Sequence, residues 1–97
     1  MARLEIQNPV ARTVQHSVNP AARLRDLRGA TVGLYWNMKA GGDAALDRTE
    51  ALLASRFPGI NFRRYTGSVG WLMRHCTAED ADRIASEVSA VVGTTND

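Results

Sequence analysis

The pattern of apolar and polar positions along the chain predicts three β-strands. Residues 30–36 form an apolar, partly β-branched run without polar alternation, which is typical of a strand buried on both faces of a sheet. Residues 60–65 and 89–95 are two further runs bounded by turn residues, and they predict a second and a third strand. The second strand is expected to be less buried than the first.

Apolar residues at helical spacing predict one helix in each interval between these strands. A stripe within residues 46–57 indicates a helix with Asp43 as its N-cap, and the Pro-Gly pair that follows ends it. A second stripe within residues 81–88 indicates another helix. Thr77 and Asp80 have the spacing of a capping box at the start of that second helix.

This β-α-β-α-β order predicts an α/β fold built on a parallel sheet. Right-handed crossovers place strand one between strands two and three, so the predicted strand order is 2-1-3. The result is one half of a doubly wound, flavodoxin-like sheet in three layers. Residues 19–97 are assigned to this α/β domain, which is expected to be incomplete at its C-terminus.

The N-terminal residues give a weaker pattern. Residues 1–18 mix polar and apolar positions without a sustained period, and they are predicted to form an extended arm with at most a short edge strand. Asn19-Pro20 is typical of a helix start, and Gly29 of a helix end. A short helix is therefore predicted from Ala21 to Arg28.

Composition narrows the class of protein. The 97 residues are 44% hydrophobic and 23% charged, as in ordinary globular proteins, which excludes a disordered tail or a collagen-like repeat. No apolar run approaches the roughly 20 residues needed to cross a bilayer, and no signal peptide is visible. The single cysteine, Cys76, excludes an intrachain disulfide and a cysteine-cluster metal site. We expect a cytoplasmic protein without membrane contact, metal or other cofactor.

Basic residues concentrate in the first part of the chain. Residues 1–28 hold five arginines and two acidic residues, a net charge of +3, whereas the whole chain carries +2. No aromatic residue lies between those arginines, so the segment is a poor match to a nucleic-acid interface. A small-molecule substrate is the expected partner instead.

The predicted ligand site lies at the carboxyl ends of the strands, where open parallel sheets bind ligands at the switch in strand order. Segments 37–42, 66–70 and 94–97 are rich in small and polar residues, as ordinary surface loops also are. They carry no phosphate-loop or dinucleotide fingerprint, although backbone N–H groups there could bind an anion. No catalytic residue is assigned. The candidate ligand-binding residues are Asn37, Lys39, Gly41, Gly42, Asp43, Ser68, Thr94, Thr95 and Asp97.

Four groups of spaced residues carry a family resemblance. They are Leu24-x-x-Leu27-x-Gly29, Trp36-Asn37-x-Lys39, Asp43-x-x-Leu46-x-Arg48, and the ending Ala90-Val-Val-Gly-Thr-Thr-Asn-Asp97. Together, over roughly residues 8–97, they resemble the UGSC family of (seleno)proteins. In that family the third strand leads directly into selenocysteine or cysteine followed by Gly, Ser and Cys. This sequence lacks the motif, which should begin just after Asp97.

The resemblance implies a selenol- or thiol-dependent redox or lyase-type enzyme. The motif is similar to the selenocysteine segment in substrate-binding subunits of glycine reductase-type enzymes, where a selenol attacks a substrate carbon and a nearby thiol can resolve the product. This chain would supply the pocket without the nucleophile and would be inactive alone. Asn37, Lys39 and Asp43 match the family pattern, and Thr95 and Asp97 would flank the missing centre. Because UGA encodes selenocysteine, we expect the gene to continue past a UGA taken as a stop.

Two other functions fit the same residues. The chain could be a small subunit of a hetero-oligomeric enzyme that a partner completes in trans, or a non-enzymatic α/β module that binds an anion at residues 37–42. In every case strand 89–95 is an unprotected sheet edge. Further polypeptide is expected to cover it: the chain's own C-terminal continuation, a partner subunit or a second copy.

Overall fold

A parallel three-stranded sheet with two helices forms the folded part of the protein. The structure is a computed structural model that describes residues 2–71 and 74–95. The elements are β1 (Thr31–Trp36), α1 (Gly42–Arg56), β2 (Asn61–Tyr65), α2 (Ala78–Glu87) and β3 (Ala90–Thr94). The strand order is β2-β1-β3, and both pairings are parallel. The predicted α/β class, element order and strand order are confirmed. Within the described part of the chain, no helix is long and apolar enough to cross a membrane.

The central position of β1 follows from its apolar sequence. Val32 and Leu34 are 2% and 0% exposed, and with Leu46 of α1 they form the centre of the core. Successive side chains of a strand point to opposite faces, so Tyr35 faces the other side, where it lines a cavity with Ile84 of α2. The two helices therefore cover opposite faces of the sheet, which gives the predicted three layers.

The start of α1 differs from the prediction. Gly41, not Asp43, is the N-cap, with a φ of 94° and no capping hydrogen bond from a side chain. The loop must turn sharply to bring α1 back over β1, and the left-handed conformation that this requires suits glycine. Asp43 lies instead in the first turn of α1, where a negative charge complements the helix dipole.

The predicted capping box of α2 is confirmed. The Thr77 hydroxyl accepts a hydrogen bond from the Asp80 N–H at 3.0 Å, and an Asp80 carboxylate oxygen accepts one from the Thr77 N–H at 3.1 Å. The helix ends at Glu87, as predicted. Because the two bonds satisfy backbone groups reciprocally, they fix where α2 begins.

The short helix predicted from Ala21 to Arg28 does not form, and residues 2–30 contain neither helix nor strand. An Asp26 carboxylate oxygen instead accepts a hydrogen bond from the Arg28 N–H at 2.9 Å and closes a turn. Two helical turns are too short to be stable without packing, and residues 2–26 are all exposed. The local aspartate turn therefore prevails over the helix. Leu27, the central residue of the turn, packs against the core.

Candidate functional site at the carboxyl ends of the strands

The loop between β1 and α1 is held by hydrogen bonds to its own backbone. The Trp36 indole N–H donates to the Lys39 carbonyl oxygen at 2.7 Å, and the Asn37 side-chain oxygen accepts from the Lys39 N–H at 3.2 Å. Met38, between them, has a φ of 70°, an uncommon conformation for a residue with a side chain. These bonds bring the start of α1 directly onto the end of β1.

Gly42, the first residue of α1, is packed against the ends of two strands. A Cβ atom added to it would lie 2.8 Å from the Thr94 hydroxyl oxygen and 2.8 Å from Cδ1 of Trp36. No side chain fits there without displacing a neighbour, so the close approach of α1 depends on a glycine. The structure thus brings together two predicted site residues, Gly42 and Thr94, at the predicted switch between β1 and β3.

The hydroxyl of Thr94 is buried and has no hydrogen-bond partner among the described residues. A buried hydroxyl without a partner costs roughly 1–3 kcal/mol, so such groups call for an explanation such as a bound ligand or water. The adjacent first turn of α1 also lacks a capping side chain. Helix N-termini carry partial positive charge and free N–H donors. Both features suit an anionic or hydrogen-bond-accepting ligand group.

A cavity of about 160 Å³ lies on the other side of Trp36, at the carboxyl ends of β1 and β2. At roughly 30 Å³ for each water in the liquid, it has the volume of about five waters. The cavity opens to solvent, so the part of a ligand enclosed there has only a few heavy atoms. The lining residues are Leu34, Trp36, Asp43, Arg64, Tyr65 and Thr66.

Arg64 lines the cavity, and its positive charge is paired with two carboxylates of α1. Its Nη2 lies 2.8 Å from a carboxylate oxygen of Asp47 and 2.5 Å from one of Glu50, both on α1. The hydrogen bond to Glu50 is the main cause that raises the pKa of Arg64 above its usual value. All three side chains are exposed, so these ion pairs add little stability. Their effect is to hold the Arg64 guanidinium in place beside the cavity.

Ser68 is engaged by the start of α2. Its hydroxyl donates to Asp80 Oδ2 at 2.6 Å, and its N–H donates to the same oxygen at 3.1 Å. These bonds, together with that from the Thr77 N–H, hold the pKa of Asp80 down at about 2. Ser68 therefore ties the β2–α2 loop to α2, and a ligand-binding role for it stays a prediction.

The other candidate residues have simpler surroundings. Gly41 is the N-cap of α1, and Thr95 is exposed directly after β3. Asp97 lies outside the described residues. Ligand binding by Asn37, Lys39 and the rest of the set stays a prediction.

Three cavity residues, Leu34, Arg64 and Tyr65, are not expected at the site from the sequence. Two consecutive arginines, Arg63 and Arg64, are typical of a solvent-exposed edge strand. The sequence therefore does not indicate that Arg64 contacts α1. Thr66 lies in one of the predicted segments, 66–70, because it directly follows a parallel strand. Within the described part of the chain, no cluster of three or more His, Cys, Asp or Glu side chains could hold a metal ion.

The fold and the crevice define a doubly wound α/β protein whose candidate ligand site lies at the switch in strand order. The chain matches the sequence model of the UGSC family over residues 5–97, and it belongs to that family. The family resemblance of the spaced residues is thereby confirmed, and the match includes all five elements and most of the N-terminal arm. No curated protein and no solved structure matches the chain.

Proposed function

We propose that this chain forms the substrate pocket of a selenol- or thiol-dependent enzyme. The observation that carries the proposal is the buried, unpartnered hydroxyl of Thr94, beside Trp36 and the start of α1, which has no side-chain cap. This is the place where doubly wound sheets bind ligands. Gly42 and Trp36 enclose the Thr94 hydroxyl, so a substrate group reaches it when the start of α1 or the Trp36 ring shifts, and that group then gives the hydroxyl a partner.

The substrate is proposed to be a small molecule with an anionic group. The start of α1 favours an anion, and the neighbouring cavity of about 160 Å³, which opens to solvent, accommodates another part of a small molecule. Asp43, a carboxylate in the cavity wall, favours a cationic or hydrogen-bond-donating group at the other end of the substrate. A carboxylate-bearing small molecule meets these conditions.

The reactive chalcogen is proposed to follow β3 directly, in the motif that the family resemblance implies. A selenolate or thiolate at that point attacks a substrate carbon, and the leaving group departs with its bonding electron pair. In this scheme the residues of the present chain bind and orient. Thr94 and the first turn of α1 hold the anionic group, and Trp36 forms the wall between that group and the cavity.

The first test is the nucleotide sequence after codon 97. An in-frame UGA or cysteine codon, followed by codons for Gly, Ser and Cys, supports the proposal. A different stop codon with no family-like frame downstream overturns it. A separate reading frame that begins near the motif would instead assign the nucleophile to a partner chain.

The second test measures anion preference in the continued chain, with cysteine at the reactive position. The thiolate displaces iodide from iodoacetate, which is anionic, and from iodoacetamide, which is neutral and of similar size. Relative to free cysteine, the rate ratio should favour iodoacetate, and Thr94→Val should lower that preference at least tenfold, since a hydrogen bond to a charged group contributes roughly 1.5–3 kcal/mol.

The matched control is Thr49→Val. The Thr49 hydroxyl donates to the Ala45 carbonyl oxygen within α1 at 2.8 Å, so its loss should leave the ratio unchanged. A wild-type ratio equal to that of free cysteine, or equal ratios in the two variants, would refute anion binding by Thr94.

A further inference from the structure

The chain exposes far more surface than a folded protein of its mass. Its accessible area is 8283 Å², whereas a compact 10.6 kDa chain exposes roughly 5,500 Å². The radius of gyration is 19.4 Å, against about 12.5 Å for a compact domain of this length. The excess of about 2,800 Å² is the size of an obligate protein–protein interface. Most of it must lie in the arm, because residues 2–26 are all exposed.

The arm has one mainly apolar face when it is extended. Among its described residues, five large apolar side chains are 73–83% exposed and occupy even-numbered positions: Leu4, Ile6, Val10, Val14 and Val18. Asn8, Arg12 and His16 lie on the same face. The odd positions from 3 to 19 are polar except for Pro9 and Ala11. Alternate residues of a strand share a face, so this is the pattern of a strand that packs on one side. No buried partner for that face exists within the described part of the chain.

A matching surface lies at β3. Among the described residues β3 pairs with β1 alone, and the outer edge of a parallel strand offers backbone N–H and C=O groups to an added strand. Beside that edge is an apolar cavity of about 260 Å³ between the sheet and α2. Val91 of β3 is 50% exposed at its rim. The cavity is lined by Tyr35, Cys76, Ala81, Ile84, Ala85 and Val91.

The charges of the two surfaces are complementary. The arm, residues 1–18, carries two arginines and one glutamate, net +1, and residues 19–28 add three arginines and one aspartate, net +2. Helix α2 carries four acidic residues and one arginine, net −3. Because the two surfaces carry opposite charges, binding of the arm beside α2 is favoured over association of two arms or of two α2 surfaces.

We propose that the arm of each chain adds as a strand to β3 of a second copy and lays its apolar face over the cavity beside α2. Residues 20–24 and Leu27 already line a cavity at the start of β3 with Ser89 and Ala90, so the arm leaves its own domain at that strand. The protein measures 76 Å along its longest axis and 32 Å along the next, which shows the arm directed away from its own sheet. A reciprocal exchange buries both arms. The family match includes residues 5–18, so the arm is part of the family's domain.

Molar mass in solution tests the proposal. By sedimentation equilibrium at micromolar concentration, the 97-residue chain should have the mass of a dimer. Ile6→Ser with Val10→Ser, on the apolar face, should weaken dimerisation at least tenfold and give a monomer. Gln7→Ser with Ala11→Ser, on the opposite face, should remain dimeric. A monomeric wild-type chain, or equal masses for the two variants, overturns the proposal.

Disulfide trapping identifies which chain the arm covers. Val10→Cys places a second thiol in a chain whose only other cysteine, Cys76, lines the cavity. Mild oxidation should give a covalent dimer in which mass spectrometry finds peptide 10 joined to peptide 76, with Ala11→Cys as the opposite-face control. A disulfide within one chain, or equal trapping in both variants, would contradict docking on a second copy.

Discussion

Replacement of Gly42 by alanine probes the contact on which the site is built. The added Cβ would lie 2.8 Å from the Thr94 hydroxyl oxygen, 2.8 Å from Trp36 Cδ1 and 2.9 Å from Trp36 Nε1, whereas ordinary contacts are 3.4–4 Å. Either the start of α1 or the Trp36 ring must move. Movement of the ring would break the 2.7 Å bond from its indole N–H to the Lys39 carbonyl.

The expected loss of stability is about 2 kcal/mol. Overpacking of this kind costs roughly 1–3 kcal/mol, and loss of a neutral hydrogen bond costs about 1 kcal/mol. Alanine also favours a helix over glycine by up to about 1 kcal/mol, which offsets part of the cost. Thr94→Ala removes one of the clashing atoms, so the double variant with Gly42→Ala should lose less than the sum of the single variants.

Urea unfolding followed by tryptophan fluorescence measures the free energy of unfolding. The matched control is Gly93→Ala on β3, where an added Cβ would meet only the Tyr35 carbonyl oxygen at 4.0 Å. That variant should be as stable as wild type or slightly more stable, since glycine weakens strands. If Gly42→Ala is also as stable as wild type, the close packing of α1 on Thr94 and Trp36 is refuted.

Three further predictions concern α2. Thr77→Ala should lower the free energy of unfolding by about 1 kcal/mol through loss of the N-cap, and Thr77→Ser should restore most of it. The pKa of Asp80 is lowered from 3.8 to about 2 in the folded chain, so its contribution to stability is complete above pH 3.8 and is lost as the pH falls towards 2. The free energy of unfolding, measured as a function of pH, should fall in this window. If the free energy of unfolding of Asp80→Asn falls with the same slope between pH 3.8 and 2, the prediction is contradicted. The Tyr65 hydroxyl donates a hydrogen bond to a Glu87 carboxylate oxygen at 2.6 Å, and this bond is the main cause that lowers the pKa of Glu87. Tyr65→Phe should therefore raise the pKa of Glu87 in an NMR titration, and an unchanged pKa would exclude the bond.

The elements that the sequence predicts well are those determined by local chemistry. The capping box depends on Thr77 and Asp80, which are only three residues apart. The apolar run of β1 predicts a buried strand, and Val32 and Leu34 are buried. The strand order follows from the handedness of two crossovers. Each of these features can be derived without knowledge of distant contacts.

The structure differs from the sequence-based predictions where the backbone conformation or contacts between distant residues determine the local structure. Asp43 has the residue type of an N-cap, but the sharp turn at Gly41 moves the helix start earlier in the chain. The segment predicted as a helix from Ala21 to Arg28 has good end signals, but residues 21–26 are exposed and only Leu27 packs against the core. The unpartnered hydroxyl of Thr94 depends on the approach of Gly42, 52 positions earlier, and no local pattern reports it.

The central claim is that an anionic ligand group binds where β3, β1 and the start of α1 meet. The most direct test is a 15N-NMR titration of the 97-residue chain with acetate, followed at the amides of Gly42, Asp43 and Thr94. Saturable shifts are expected at these amides; the affinity for acetate should weaken at least tenfold in Thr94→Val and persist in Thr49→Val. Shifts that are absent from these amides, or that are the same in Thr94→Val as in wild type, would contradict it.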